Sequence, residues 1–368
     1  MNQARLDRLF SSIRQAGWYG LVLNPGPSLS YLTGLSFHLM ERPVLGIFIP
    51  GQPVHIVLPE LERTKANSRE DDLILYPYEE SAESRDQALQ DAVGMSGVDG
   101  RTVGVEPLRI RYFETRLLQQ AAPHVELVPG DPVIETLRLR KDAEEVQRMQ
   151  RAVQVAEQAL DASLPRIHVG MTERQIAAEL TIQLLRAGSE PDLPFSPIVA
   201  AGPHSALPHA VPSDRPLQSG DLLIIDWGAT VDGYISDLTR TFAVGDVDPE
   251  YRRIHQLTLE ANAAGVVRAG PGVPAGAVDA AARQVIDDGG YGMYFIHRTG
   301  HGIGMEAHEP PYLRGDNEAD LEPGMAFTVE PGIYLPERGG VRIEDNLVIT
   351  ETGSSVLSSF PRDLQRVG

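Results

Sequence analysis

No cysteine occurs anywhere in the 368 residues. That excludes disulfide bonds, thiolate-held zinc and a cysteine nucleophile together, and it fits a reducing compartment. Any metal must rest on His, Asp or Glu. Basic side chains are scarce as well, 32 Lys and Arg against 51 Asp and Glu, for a net charge of -19. A phosphate-backbone partner needs clustered Lys and Arg, so nucleic acid is not expected. Long apolar runs are missing too, since nothing approaches the roughly 18 to 20 residues of a membrane-spanning helix. Residues 1–17 set Arg5, Asp7, Arg8 and Arg14 among Leu6, Leu9, Phe10 and Ile13. This reads as an amphipathic helix and not as the unbroken apolar core of a signal peptide. The expectation is a soluble, cytoplasmic protein with no membrane or nucleic-acid partner.

The length suits two cores better than one. Strands are expected over residues 19–23, 44–49 and 54–58, the last two flanking the turn Pro50-Gly51-Gln52-Pro53. A strand at 102–105, a helix at 109–121 and a strand at 125–128 complete an α/β first domain, residues 1–135, with a linker over 132–140. Residues 136–368 form the second domain. It opens on a long amphipathic helix carrying Val146, Met149, Val153, Ala156 and Leu160, with Asp142 as N-cap. Thr172 and Gln175 have capping-box spacing for the next helix, which ends at Gly188. Further helices are expected at 249–267 and 275–288, and strands at 326–330 and 341–350.

The chemistry concentrates in residues 221–350. In DLLIIDWGATVDGYISDLTRTFAVG, beginning at Asp221, two β-rich runs flank Asp232-Gly233, a dipeptide suited to the positive φ angles of a type I′ turn. If Val231 faces Tyr234, Asp226 faces Thr239 and shares a sheet face with Asp237. Diagonal partners of this kind sit roughly 7–8 Å apart at the backbone. Their carboxylates can therefore converge on a metal pair, whose usual spacing is about 3.5–4 Å. Asp226 also ends the unalternating run Leu222-Leu223-Ile224-Ile225, which implies burial on both faces, where a carboxylate needs a cation. Next, His301 lies between Gly300 and Gly302 in a segment that runs from His297 to Pro311 and includes His308. Such glycines permit close backbone approach around a fixed imidazole. Glu330 and Glu344 each follow an apolar or β-branched run and meet the same burial question.

These blocks, in this order, resemble the pita-bread metallopeptidase family (M24), which includes methionine aminopeptidase, aminopeptidase P and prolidase. The match is specific over residues 194–350 and weaker over the rest. It implies an α/β N-terminal creatinase-like domain followed by an α+β pita-bread catalytic domain. By this resemblance Asp226, Asp237, His301, Glu330 and Glu344 hold two divalent metal ions. His209 and His308 match the family's two non-ligand histidines that contact substrate and steady the intermediate. Thr239 and Arg342 match supporting positions near the metals, and Arg342 is also a candidate for substrate binding. His204 departs from an expected asparagine, and Trp227 beside the first ligand is a second departure.

Four converging carboxylates repel one another unless positive charge occupies the centre, and two divalent ions would make the cluster formally neutral. Oxygen-rich ligation with one imidazole favours manganese and is compatible with zinc, cobalt or iron. The resemblance points to the proline-specific branch, with Glu330 as proton shuttle. The expected substrate is a small peptide with proline in second position, most simply a dipeptide, and a homodimer is the expected assembly. In relatives, first-domain loops reach the cleft, which makes His38 and Arg42, within residues 36–43, candidates for the dipeptide carboxylate. The competing readings are aminopeptidase P acting on longer peptides, a creatinase-like hydrolase, and a catalytically inactive binding module on the same fold.

Overall fold

The computed structural model describes residues 3–66 and 73–368, so the first two residues of the expected N-terminal helix lie outside it. The chain divides into two compact units, Met1–Arg138 and Leu139–Gly368. In the first, six strands form one mixed sheet in the order Leu73–Tyr78, Val54–Pro59, Leu45–Phe48, Gly20–Leu23, Thr102–Val105 and Glu126–Pro129. Val22, Ile47, Val57 and Val103 of this sheet pack with Leu89 and Val93 of the helix Ala82–Ser96 and Leu118 of the helix Tyr112–Ala121. This is the expected α/β unit. Neither the strand Leu73–Tyr78 nor the helix Ala82–Ser96 was anticipated from the sequence. The expected linker over 132–140 is mostly a helix, Asp131–Arg138, because Val133, Ile134 and Leu137 fall on one face and are buried there.

The second unit is built from two sheets. One has the order Arg366–Val367, Leu238–Val244, Leu222–Trp227 and Ile198–Ala201, and the other Glu309–Leu313, Gly300–Gly302, Ala326–Val329, Asp345–Ile349 and Ser354–Val356. Helices cover both faces of the first sheet. Leu223, Ile225 and Trp227 pack on the helices Ala143–Ser163 and Glu173–Ala187, whereas Leu222 packs among Ile254 and Ala261 of Pro249–Arg268 and Ile286 of Ala275–Asp288. That is the double burial the unalternating run requires. Both expected caps form: Asp142 accepts from the Glu145 amide and Thr172 from the Gln175 amide, each closed by the reciprocal side chain.

The expected strand over 341–350 is instead two strands, Gly339–Arg342 and Asp345–Ile349. The break has a physical cause. The Glu344 amide leaves its ladder to donate to the Thr239 carbonyl at 3.1 Å, making an isolated bridge between the two sheets.

Candidate metal centre

The hairpin that carries the two aspartates has the expected register. Tyr234 pairs with Val231, and Thr239 with Asp226, across a turn in which Asp232 and Gly233 have φ of 51° and 73°. The ladder lapses at Asp237, whose amide donates instead to the Asn346 side-chain oxygen at 3.1 Å, while the Asn346 amide group donates back to the Asp237 carbonyl. Asp237 is thus fixed from the neighbouring sheet. His301 sits on the strand Gly300–Gly302, where a Cβ on Gly300 would lie 1.9 Å from the Thr328 carbonyl and one on Gly302 2.1 Å from that of Pro310. Only glycine lets three backbones crowd around this imidazole. Glu330 follows the strand Ala326–Val329, with its amide bonded to the Thr299 carbonyl.

All five side chains line one cavity of about 540 Å³, together with His209, His308 and Arg342. His301 Nε2 lies 3.3 Å from Glu330 Oε1 and 3.6 Å from Asp237 Oδ2. Asp237, His301 and Glu344 each offer a ligand atom, all within 4.8 Å of one another. Arg342 organises the other side. It donates to Asp226 Oδ2 at 2.6 Å, to Thr239 Oγ1 at 3.0 Å, to the Tyr334 hydroxyl at 2.9 Å and to the Pro208 carbonyl at 3.2 Å. The Thr239 hydroxyl in turn donates a hydrogen bond to Glu344 Oε2 at 2.7 Å.

The electrostatics are those of a cage short of positive charge. Burial, opposed only in part by Arg342, raises the Asp226 carboxyl. Burial and then repulsion from Glu344 and Asp226 push Asp237 well up, and burial followed by repulsion from Glu330 and Asp226 does the same to Glu344. Burial also opposes ionisation of Glu330, but its hydrogen bond and proximity to His301, with His297 and Arg342 behind, bring it down to about 2. Asp226 Oδ1 is buried with no hydrogen-bond partner among the described residues. A buried orphan oxygen and four acids whose direct basic contacts are Arg342 and His301 fit divalent cations, and the oxygen-rich donor set fits hard to borderline ones.

His308 is exposed in the cavity, its ring 4.2 Å from that of His301 at 70°, and burial plus the neighbouring His301 and Arg298 lower it to about 4. Trp227 points away from the cavity and donates its indole N–H to the Ala156 carbonyl, so this departure serves the helix packing. His38 and Arg42 belong to the first unit, where Arg42 is held by Glu80 and Glu41 and His38 is exposed.

Two cavity groups, His297 and Arg298, and the buried Tyr334 behind Arg342 escaped sequence reasoning. The Arg298 carbonyl can only accept, so His297 Nδ1–H donates to it at 2.7 Å; the neutral ring then leaves Nε2 to accept from the Tyr334 hydroxyl at 2.9 Å, and that hydroxyl also accepts from Arg342. Burial keeps His297 neutral and pushes Tyr334 up to about 12. Arg298 lines the cavity with its guanidinium 4.6 Å from the Tyr312 ring centre. For two of them the signal was position: His297 stands four residues before His301, and Tyr334 four after Glu330.

Residues 147–351 match metallopeptidase family M24, and residues 5–140 match the creatinase/prolidase N-terminal domain. The chain belongs to metallopeptidase family M24, with a creatinase-type first domain and a pita-bread catalytic domain. It is 40% identical to the Xaa-Pro dipeptidase of Pyrococcus furiosus over 263 residues, covering 72% of this chain and 75% of that one. It is 35% identical to the Xaa-Pro dipeptidase of Pyrococcus horikoshii over 346 residues, 94% and 93% of the two chains. Among solved structures, recombinant prolidase from Thermococcus sibiricus superposes with a TM-score of 0.94 at 30% identity, covering 100% of this chain and 99% of that one.

Proposed function

We propose that this chain hydrolyses the bond between an N-terminal residue and a following proline, with Xaa-Pro dipeptides as its substrates. The observation that carries the reading is the single cavity in which Asp226, Asp237, His301, Glu330 and Glu344 meet with less protein cation than the acids require. The relatives bearing the name Xaa-Pro dipeptidase supply the substrate class. In this reading the five residues hold two divalent ions, manganese first among them. When bound, such ions supply Lewis acidity and lower the pKa of a water to near neutrality.

The protein's own groups do the rest. Glu330 is ionised at neutral pH, so it can take a proton from the attacking water and hand it to the departing proline nitrogen. His308 is neutral there and can donate an N–H as charge develops on the scissile oxygen, with His209 beside it. Proline lacks an amide hydrogen and restricts the residue before it, so alignment of an extended backbone does not serve this bond. A dedicated pocket does. Arg298 presents a cation inside the cavity for the free carboxylate of a dipeptide. His38 and Arg42 belong to the proposal as further carboxylate contacts, although Arg42 would have to leave Glu80 to act. A homodimer in the cytoplasm completes the reading. Support comes from the family resemblance and the absence of cysteine, and no helix among the described residues is long and apolar enough to cross a membrane.

One assay tests it: proline release from Xaa-Pro dipeptides against release of the first residue from Xaa-Pro tripeptides, with manganese and with chelator. Dipeptides should be cleaved, tripeptides spared and chelator should abolish turnover. Preference for tripeptides would make the chain an aminopeptidase, and no turnover with any metal would make it a binding module. Replacing Arg42 by Ala should raise KM for dipeptides and leave any residual cleavage of longer Xaa-Pro peptides unchanged; an equal effect on both removes Arg42 from the site.

A further inference from the structure

His209 enters the cavity on an irregular segment that follows the strand Ile198–Ala201. Among the described residues its ring makes no hydrogen bond, and the residue is exposed. Whatever fixes the imidazole must therefore act through the backbone that carries it. Arg342 holds the Pro208 carbonyl just before it, and Ser205 Oγ donates to the Gly202 carbonyl at 2.6 Å while accepting from the Gly340 amide at 2.8 Å.

The ends of the segment converge on one carboxylate outside the cavity. Glu173 is 0% exposed at the start of the helix Glu173–Ala187. It accepts from the Ala201 amide at 2.8 Å, from the Ser213 amide at 2.9 Å and from Ser213 Oγ at 2.6 Å. His204 Nδ1 adds a fourth contact at 2.8 Å. From the same helix end, the amides of Glu173 and Arg174 donate to the carbonyls of Arg215 and Ser213, both at 3.1 Å. A buried carboxylate is costly unless its lone pairs are filled, and here they are filled by both ends of one segment. The imidazole at 204, where asparagine was expected, makes one of these bonds.

We propose that Glu173, completed by His204, is a positioning residue for His209: its carboxylate pins both ends of the 201–213 segment and so fixes where the imidazole stands in the cavity. The inference rests on the hydrolase reading above, in which His209 acts on the scissile oxygen. Loosening the segment leaves the metal residues in place and misplaces one donor, a class of change that costs on the order of ten- to a hundred-fold in rate.

The test has two arms on the full-length, metal-loaded protein. Hydrogen exchange across residues 201–213 reads the pinning directly, and Glu173→Gln should accelerate it, with His204→Ala giving a smaller acceleration. Unchanged exchange in both variants overturns the proposal whatever the activity shows. The second arm is a kcat cycle on an Xaa-Pro dipeptide with Glu173→Gln, His209→Ala and the double variant. Glu173→Gln should lower kcat about ten- to a hundred-fold alone and have little further effect in the His209→Ala background, because both changes remove the same donor. Equal losses in both backgrounds would show that Glu173 acts through general integrity and not through His209, which also overturns the proposal. If Glu173→Gln does not fold, His204→Ala carries both arms. Faster exchange with full activity in His209→Ala would instead uphold the pinning and remove His209 from the hydrolase reading.

Discussion

Two buried charge clusters meet at consecutive residues, Glu344 and Asp345, and they are balanced in opposite ways. On one side Asp345 receives Arg240 at 2.9 Å, Arg362 at 2.5 Å and Ser358 at 2.7 Å, and Arg240 also donates to the carbonyls of Thr239, Glu344 and Phe360. Burial opposes its ionisation, yet Arg240 and Arg362 outweigh that and hold Asp345 below the usual carboxylate range. On the other side Glu344 faces Asp226, Asp237 and Glu330 with Arg342 as the opposing charge and Thr239 as a hydrogen-bond donor, and burial with mutual repulsion drives it up. Neighbouring residues of an extended chain point to opposite faces, so one break in a strand feeds both clusters. A buried acid whose countercharge is built into the chain is scaffold. One whose countercharge is missing is a place for something the chain does not encode.

The largest expected effect belongs to the underbalanced side. In the proposed function Glu330 supplies the ionised oxygen that accepts the proton, so Glu330→Gln should lower kcat on the order of a thousand-fold with an unchanged thermal melt. Near-normal turnover would refute the proton-shuttle role. The neighbouring pair then sets the two clusters directly against each other. Asp345→Asn strands the buried Arg240 without its carboxylate and should cost about 3–5 kcal/mol in urea unfolding. Equal stability to the parent would mean that the balanced cluster is not scaffold.

A pH titration probes the rim of the same cluster. His255 on the helix Pro249–Arg268 is buried, its Nε2 has no hydrogen-bond partner among the described residues, and burial, helped by Arg240, lowers it from 6.5 to about 4. Above pH 6.5 both folded and unfolded chains leave it neutral and it costs nothing. As pH falls from 6.5 toward 4 the unfolded chain takes a proton that the folded one refuses, so stability should decline across that window by roughly 3 kcal/mol at most. His255→Gln should flatten this part of the stability profile, and an unchanged slope would assign the loss to other groups. The smallest effect has the opposite sign from the Asp345 change. Glu344→Gln relieves repulsion in the chelated protein and should raise its melting temperature by about 2 °C. A lowered melting temperature would break the contrast.

Local chemistry made much of this legible. The Asp232-Gly233 turn made the pairing of Asp226 with Thr239 readable from sequence, because two-residue turns dictate register. The Asp142 and Thr172 caps announced themselves through a partner three residues on. What stayed hidden depends on contacts between distant parts of the chain. The break at Glu344 is caused by a carbonyl 105 residues earlier in the sequence, and the Tyr334–His297 bond spans 37. No periodicity or spacing rule reports such pairs. The helix Asp131–Arg138 was missed for a different reason: its single buried face is too short to separate from a loop by pattern alone.

The bridge between Thr239 and Glu344 bears on how ions arrive. Because backbone amide and carbonyl join the two sheets there, and Asn346 ties Asp237 across the same seam, the proposed metal donors are held by the architecture and would not have to be gathered by the cation. Ion uptake is then capture by a finished vessel. Its speed should rise in proportion to ion concentration, with no folding step to set a ceiling.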